Sequence, residues 1–312
     1  MVYEDLVFKK KEPSYLDLSF RFFNYVYLHF LRSVIKYCYR IVTGKCELQR
    51  ICSGQYTYEA RRILDLEFCL ERSKCPKLKD LLKNRQDKEA VARTVQTEKK
   101  IPKAEYEAFE AKLNFCLAKI WSYNSLIDSV EMTRKVKFTW ENKDHSEDLL
   151  MLWKLMKNDE KLEGKISKQW QDVGFQGNDP ATDFRGMGQL GLDQLLFLWI
   201  SYMDLATQLF SMAQHPKIGF PFAIAGISFT AMCRDFLNKG NLKVHFYTSK
   251  HPCDLDAFHT VYCHVFTQFC KFWRASNTQG VMYFNRYKEE FQEMLLEMLN
   301  SDDFTFDVYR LN

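Results

Sequence analysis

The segment Leu190–Met212, LGLDQLLFLWISYMDLATQLFSM, decides the fold class of this chain. It is long and apolar, and Asp193 stands near its start, where negative charge suits the N-terminal end of a helix dipole. We therefore expect one continuous helix here. Similar helices are predicted for Phe220–Leu237, Phe258–Trp273 and Phe284–Leu299. Only Lys243–Tyr247 resembles a strand, so the chain is predicted to be all-α, with many helices.

The composition is that of an ordinary globular protein. The chain has 312 residues, 46% of them hydrophobic and 27% charged, which excludes disordered and fibrous classes. Its net charge of +4 is too small to predict nucleic-acid binding. The chain starts with acidic residues and no short apolar run, so we expect no secretory signal, a cytoplasmic protein and reduced cysteines.

Residues 1–44 are predicted to form a basic, aromatic helix, because Leu16–Val42 contains neither Gly nor Pro. At 100° per residue, the basic side chains form one stripe: Arg21, His29, Arg32, Lys36 and Arg40. Such a helix could span a membrane, although the stretches between its basic residues are short. It could lie in the membrane interface, with its aromatic residues inserted and its stripe facing lipid headgroups. It could also pack in the core with one solvated edge. The candidate membrane-interface residues are Arg21, Arg32, Lys36 and Arg40.

Enzyme signatures are absent from the sequence. There is no P-loop, no strand-borne G-x-G-x-x-G, no G-x-S-x-G and no H-E-x-x-H, so neither a cofactor nor a self-contained catalytic centre is predicted. One arrangement resembles a metal site, and it consists of His251, Cys253, His259, Cys263 and His264. Aromatic-rich helices often bury Cys and His as core residues, however, and no C-x-x-C pair is present. We therefore predict no metal.

The unusual stretch is Trp170–Leu195, WQDVGFQGNDPATDFRGMGQLGLDQL. Within this stretch, a span of eighteen residues contains five of the twelve glycines of the chain: Gly174, Gly177, Gly186, Gly188 and Gly191. Glycines at this density predict backbone conformations or close approaches that side chains would prevent. Asp179 followed by Pro180 predicts the start of a helix.

Arg185 is the candidate functional residue of this stretch. Phe175 and Phe184 can hold the loop on an apolar surface, which leaves Arg185 on a short tether before Gly186 and Gly188. Two interpretations fit. Arg185 could pair with Asp179 or Asp183 and tie the loop together. Alternatively, its guanidinium could be presented to an anionic partner and bind phosphate oxygens bidentately. Spacing alone does not decide between them.

The run Ile166–Leu192, ISKQWQDVGFQGNDPATDFRGMGQLGL, resembles the signature of the ELMO (engulfment and cell motility) domain, as found in small ELMO domain-containing proteins. Further blocks agree in order: Thr43–Ile51, His215–Lys217, Phe222–Thr230, His245–Tyr247, Phe269–Trp273 and Met282–Arg286. The departures from the signature are Asn178, where an acid is usual, and Gln189, where an apolar residue is usual. Residues 52–105 match poorly.

The resemblance implies three regions: the N-terminal helix 1–44, a helical region 45–125 that packs on the domain, and an ELMO domain at 126–306. It also implies a GTPase-activating protein for Arf and Arf-like GTPases rather than an enzyme in its own right. The essential arginine of the family corresponds to Arg185, and an arginine supplied in trans stabilises the transition state of GTP hydrolysis. The loop that supports it would comprise Asp179, Asp183, Phe175, Gly186 and Gly188.

The resemblance leaves a second class of function open. Larger ELMO-domain proteins act as scaffolds, so the alternative is a non-catalytic GTPase effector or interaction module. The expected partner in either case is a small GTPase of the Arf or Arf-like family in its GTP form. Because these GTPases commonly work at membranes, we expect a peripheral location on endoplasmic reticulum or mitochondrial membranes.

Overall fold

The chain is all-helical, as the sequence predicts. Our computed structural model describes residues 19, 22–23, 25–83, 85, 87–158, 160–276, 278, 280–301, 304 and 306, and these residues contain no strand. Lys243–Tyr247, the one strand-like run, is helical. The chain divides into two compact units, Met1–Trp121 and Ser122–Asn312.

The helices of the first unit are short up to the last one. They are α1 (Arg32–Thr43, preceded by a π-helical turn at Tyr27–Leu31), α2 (Glu47–Ser53), α3 (Glu59–Glu71), α4 (Pro76–Lys83), α5 (Lys88–Lys99) and α6 (Lys103–Lys135). The boundary between the two units falls within α6. Gly44 ends α1 in the left-handed conformation, which glycine adopts readily.

The second unit contains the remaining helices: α7 (Lys143–Met156), α8 (Gly188–Ser201), α9 (Met203–Ala213), α10 (Phe222–Asn238), α11 (Lys243–Thr248), α12 (Leu255–Ala275) and α13 (Phe284–Leu299). Short 3-10 helices cover Lys168–Val173, Pro180–Arg185 and Val281–Tyr283. Asn142 and Asp254 accept hydrogen bonds from the first turns of α7 and α12, which compensates for the unpaired N–H groups at those helix ends.

The first unit has an aliphatic core. α3 packs against α2 and α4, and α4 packs against α5. The side chains at its centre are fully buried: Ile63, Leu66, Leu81, Val91, Val95, Leu113, Leu117 and Ile120. The indole N–H of Trp121 donates to the carbonyl of Leu81 at 2.7 Å, which joins α6 to α4 within this unit.

Helix α1 turns its basic stripe toward the protein. The side chain of Arg32 is buried: its guanidinium bonds the Glu47 carboxylate at 3.1 Å and lies 4.8 Å from the centre of the Phe68 ring. Lys36 pairs with the same carboxylate, and Arg40 donates to the carbonyl of Lys99 at 3.3 Å. The expectation of a stripe that faces lipid headgroups is therefore wrong for Arg32. Arg21 lies outside the described residues.

The reason for this orientation is the Glu47 carboxylate. Burial would raise the pKa of Glu47, but hydrogen bonds from Cys69 and Lys36 and the charges of Lys36 and Arg32 lower it below its usual value. A partly buried carboxylate needs opposite charge, and the stripe supplies it. The other face of the helix is consequently exposed, and it is apolar: Phe30, Val34, Tyr37, Ile41 and Val42. The core-helix hypothesis, which would bury that face, does not describe α1.

The second unit is built around α8. This helix contacts α7, α9, α10 and α12 as well as the 3-10 helix Pro180–Arg185. Its neighbours supply a largely aromatic core, in which successive rings of Phe222, Phe266, Phe229 and Phe269 have centres 4.7–5.0 Å apart. Such ring pairs contribute about 0.5–1.5 kcal/mol each beyond their burial. The aromatic core therefore fixes the position of α8, the helix that begins at Gly188, shortly after Arg185.

The continuous helix expected over Leu190–Met212 is two helices. Tyr202 leaves the helical region (φ −139°, ψ 53°), and α8 and α9 meet there at a bend of 115°. The bend lets both helices bury apolar faces, with Leu195 and Leu198 on one side of it and Leu209 on the other. By length and composition, no single described helix could cross a membrane, although this bent pair passes the same test when taken together.

Candidate functional site

The glycine-rich stretch folds into two 3-10 helices joined by a turn. Ser167 caps the first, Lys168–Val173, by accepting from the N–H of Gln169. Gly174 ends it with φ +90°. A Cβ atom at this position would clash severely with the backbone nitrogen of Phe222. Glycine is thus required at this close approach, as the sequence predicts.

Two phenylalanines hold the loop on the core. Phe175 and Phe184 are buried, and their ring centres lie 5.7 Å apart. Phe175 also contacts Trp170 at 5.5 Å, and Phe184 contacts Phe138 at 5.4 Å. Because the residue before Arg185 is buried among these rings, the backbone at Arg185 is fixed.

The two aspartates of the loop stabilise its backbone. Asp179 caps the second 3-10 helix, Pro180–Arg185, by accepting from the N–H of Ala181 at 3.0 Å, and the same oxygen accepts from the indole N–H of Trp140 at 2.9 Å. Asp183 accepts from the backbone N–H of Gln176 at 2.9 Å. Burial raises the pKa of Asp183, although the Gln176 bond and the charge of Arg185 partly offset the rise. Both carboxylates are therefore occupied by the loop itself.

Arg185 is exposed at its tip and fixed at its base. Its Nε donates to the carbonyl of Thr182 at 2.8 Å, which directs the side chain along the end of the 3-10 helix. Within the described part of the chain, the two terminal amino groups of the guanidinium make no hydrogen bond or ion pair, and neither Asp179 nor Asp183 lies within 4.0 Å. The interpretation in which Arg185 ties the loop to one of these acids is therefore not what the structure contains.

The end of α6 supports the other side of the loop. Gly188 has φ +54°, and a Cβ atom there would clash with the carbonyl oxygens of Arg134 and Val136. The N–H of Gln189 donates to the carbonyl of Val136 at 2.8 Å. The Arg134 guanidinium also donates to the carbonyl of Gly186 at 3.4 Å. The segment that follows Arg185 is thus in close contact with the last turn of α6.

A charged network fixes that last turn. The Glu131 carboxylate accepts a hydrogen bond from Nε of Arg134 at 2.9 Å, and it also accepts from Arg234 and from Asn238 on α10. Burial would raise the pKa of Glu131, but these hydrogen bonds and the charge of Arg234 lower it to about 2. Glu131 is therefore ionised at neutral pH, and it joins α6 to α10 next to the Arg185 loop.

Gln189, one of the departures from the ELMO signature, joins two acids. Its amide nitrogen donates to Asp193 at 2.7 Å and to Asp148 at 3.3 Å. Burial raises the pKa of Asp193 to about 6, and the negative charge of Asp148 adds to the rise. An apolar residue at this position would leave both carboxylates without this donor, so the departure has a local structural reason.

Gly186, directly after Arg185, has no such structural reason. It is exposed with ordinary helical angles (φ −83°, ψ −41°), and a Cβ atom there would meet nothing within 4 Å. Gly177 likewise has open space around it. The glycine next to the exposed arginine is thus not required by the folding of this chain.

The His and Cys residues at 251–264 belong mainly to the core. His259 and Cys263 are buried on α12, and His259 lies 5.2 Å from the ring of Phe197. Burial lowers the pKa of His259 to about 4 and raises that of the Cys263 thiol well above its usual value. A protonated thiol is a poor metal ligand. Across the part of the chain that the structure describes, no three His, Cys, Asp or Glu side chains are grouped so as to hold a metal ion.

Several residues of the site were not identified from the sequence. Trp140, Arg134 and Glu131 lie about 40–50 positions before the loop and belong to no local motif. Their contacts come from tertiary packing, and a single sequence contains no signal for them. The sequence placed Asp193 near a helix start, but it did not indicate that Asp193 and Asp148 share the Gln189 amide.

The site lies in a domain with known relatives. A sequence model of the ELMO/CED-12 family matches residues 128–306. The chain is 38% identical to ELMO domain-containing protein 2 of Mus musculus over 88% of its own length and 94% of the relative. It is 35% identical to ELMO domain-containing protein 1 of Mus musculus, with 89% and 91% covered, and 32% identical to ELMO domain-containing protein B of Dictyostelium discoideum, with 88% and 96% covered.

The fold and the comparisons define an all-helical protein of a family that is associated with small-GTPase regulation. The chain belongs to the ELMO/CED-12 family.

Proposed function

We propose that this protein is a GTPase-activating protein for an Arf or Arf-like GTPase and that it supplies Arg185 in trans to the site of GTP hydrolysis. The observation that supports the proposal is the exposure and hydrogen bonding of the Arg185 side chain. Arg185 is exposed, its Nε is fixed on the Thr182 carbonyl, and both acids near it are engaged elsewhere. Its terminal amino groups remain available for the oxygen atoms of a partner.

The chemistry of GTP hydrolysis explains why such an arginine is useful. Negative charge on the γ-phosphate oxygens and the leaving oxygen must be neutralised, and an arginine supplied in trans is worth about 10³–10⁵ in rate. That factor corresponds to roughly 4–7 kcal/mol of activation free energy. A guanidinium already held in position loses little conformational freedom when it enters the nucleotide site.

Single-turnover GTP hydrolysis tests the proposal. A panel of Arf and Arf-like GTPases is loaded with GTP and mixed with wild-type protein, with Arg185→Lys or with Arg286→Lys. Lysine keeps the charge but loses the planar donor geometry, so we expect Arg185→Lys to bring the rate close to the intrinsic value. Arg286 is the matched control, because it is exposed on α13 and pairs with Glu290 at 2.9 Å. Equal acceleration by wild type and Arg185→Lys would contradict the proposal.

The alternative is a GTPase effector or scaffold that binds without accelerating hydrolysis. The same exposed loop supports that function, because an arginine can recognise phosphate or carboxylate without acting on it. The two functions separate in the same experiment. An effector binds the GTP form of its partner while every variant, including wild type, leaves hydrolysis at the intrinsic rate.

We also propose that the apolar face of α1 attaches the protein peripherally to a membrane, on the endoplasmic reticulum or mitochondria. That face is strongly exposed, with Tyr37 at 67% and Ile41 at 66% of their full accessible area. Each such side chain gains about 1.5–3 kcal/mol when it is fully buried in apolar surroundings. Residues 1–50 contain nine Lys and Arg against five acids, a balance that suits anionic headgroups.

Flotation of the full chain with phosphatidylserine-containing vesicles tests this attachment. We expect wild type to float and the double variant Tyr37→Glu/Ile41→Glu to remain at the bottom of the gradient. Met282→Glu is the control, because Met282 is 90% exposed but lies beside α13, away from α1 in the sequence. Flotation of the double variant to the same extent as wild type would refute the attachment.

A further inference from the structure

The end of α6 and the residues directly after it expose apolar side chains next to the Arg185 loop. Met132, in the last turn, is 71% exposed, and Val136, the first residue after the helix, is 45% exposed. Lys135 and Lys137 beside them are exposed. We call Met132, Lys135, Val136 and Lys137 the α6 patch. Within the described residues, no ion pair involves either lysine.

The segment that carries the α6 patch is joined to the Arg185 loop by close backbone contacts. The carbonyl of Val136 accepts from the Gln189 N–H, and Gly188 packs against the carbonyls of Arg134 and Val136. Arg134 contacts the carbonyl of Gly186, the residue directly after Arg185. Any partner that reaches the tip of Arg185 therefore passes close to the α6 patch.

The polar groups of the same turn are directed inward. Glu131 and Arg134 are about three-quarters buried and engaged with each other, and Glu131 also binds Arg234. This charged network thus fixes the last turn, while the exposed side chains of the α6 patch are one methionine, one valine and two lysines. Methionine adapts well to a partner surface, and a central apolar contact with a charged rim is the usual anatomy of a protein interface.

We propose that the α6 patch is the docking surface for the GTPase that receives Arg185. This inference rests on the proposed function, and it adds the surface that determines affinity. Met132 and Val136 contact apolar side chains of the GTPase beside its nucleotide site. Lys135 and Lys137 face the carboxylates and the phosphates there, so they complement the charge of the nucleotide-bound partner. The α6 patch thereby sets binding, whereas Arg185 sets the chemical rate.

The experiment separates these two effects in the full-length protein. Single-turnover hydrolysis by a GTP-loaded Arf-like GTPase is measured over a range of activator concentrations. We expect Met132→Glu to raise the half-saturating concentration about tenfold or more and to leave the maximal rate unchanged. Arg185→Lys is expected to do the opposite. Met282→Glu introduces the same charge at an exposed methionine elsewhere in the unit and serves as the control.

A second variant and a second measurement keep the inference testable. Lys135→Glu is expected to raise the half-saturating concentration as well, and more strongly at low than at high ionic strength. If wild type fails to accelerate hydrolysis, the proposed function fails, and binding of the fluorescently labelled GTP form to the same variants then tests the α6 patch alone. Binding by Met132→Glu and Lys135→Glu that equals wild type would overturn the inference.

Discussion

Two glycines that lie two residues apart in the loop should respond to alanine in opposite ways. Gly188 has φ +54°, and a Cβ atom there would clash with the carbonyl oxygens of Arg134 and Val136. Gly186 has φ −83° and ψ −41° with open space around it. We attribute the first glycine to the fold and the second to the approach of a partner. Alanine at each position distinguishes these two reasons.

The expected magnitudes follow from the local geometry. Alanine at position 188 costs about 1–2 kcal/mol for the left-handed conformation. The movement that relieves the clash also weakens the 2.8 Å bond from Gln189 N–H to the Val136 carbonyl, worth about 0.5–1.5 kcal/mol. Together these give about 1.5–3.5 kcal/mol, or roughly 3–14 °C in a unit of this size. Gly186→Ala instead stabilises by about 0.4–1 kcal/mol, because alanine restricts the unfolded chain.

Thermal unfolding and hydrolysis assays on the same preparations test the pair. We expect Gly188→Ala to unfold well below wild type. Gly186→Ala should unfold at or slightly above it and yet activate the GTPase up to about 10²-fold less, because the new methyl group displaces the partner beside Arg185. The reasoning is refuted if Gly188→Ala unfolds with wild type, or if Gly186→Ala loses as much stability as Gly188→Ala.

Three further predictions concern charged groups. Because the pKa of Glu131 is lowered to about 2, its carboxylate stabilises the fold above about pH 4.5, and this stabilisation is lost as the pH falls toward 2. In urea unfolding, the stability difference between wild type and Glu131→Gln should therefore be smaller at pH 3 than at pH 7. The pKa of Asp193 is raised to about 6, so its ionisation destabilises the fold as the pH rises from about 4 through 6. In the same assay, the stability of Asp193→Asn relative to wild type should therefore be greater at pH 7 than at pH 4.5. Equal relative stability at both pH values would contradict the burial of this acid. Arg32→Met removes one of two cations from the buried side of Glu47, and we expect a loss of about 1–3 kcal/mol in thermal unfolding, whereas Arg61→Met, at an exposed position, should change stability by less than about 0.5 kcal/mol.

Local sequence signals predicted most of the helices. Phe284–Leu299 has the predicted bounds, because helix periodicity and helix ends depend on neighbouring residues. The bend at Tyr202 was missed. Leu190–Met212 is mainly apolar and contains no Pro, and no Gly after Gly191, so nothing local marks a break. The bend arises because both halves are buried.

The composition of the loop identified it in the sequence, but it did not predict whether Arg185 is paired. Glycine density, the Asp179 cap and the two phenylalanines are local features, and they identified the stretch. Whether Arg185 pairs with an acid depended on what else those acids could bind. Asp179 is taken by Trp140, 39 positions away, and that contact exists only in the folded chain.

The sequence by itself determined that this protein is all-helical, that α1 has a basic stripe and an apolar face, and that one arginine stands among glycines. Each of these is a property of neighbouring residues and of the angle between successive side chains. Only the tertiary structure decided which face of α1 meets the protein and whether the guanidinium of Arg185 is free. Both outcomes depend on competition for buried carboxylates, and Glu47 and Asp179 find their partners through packing rather than through proximity in the chain.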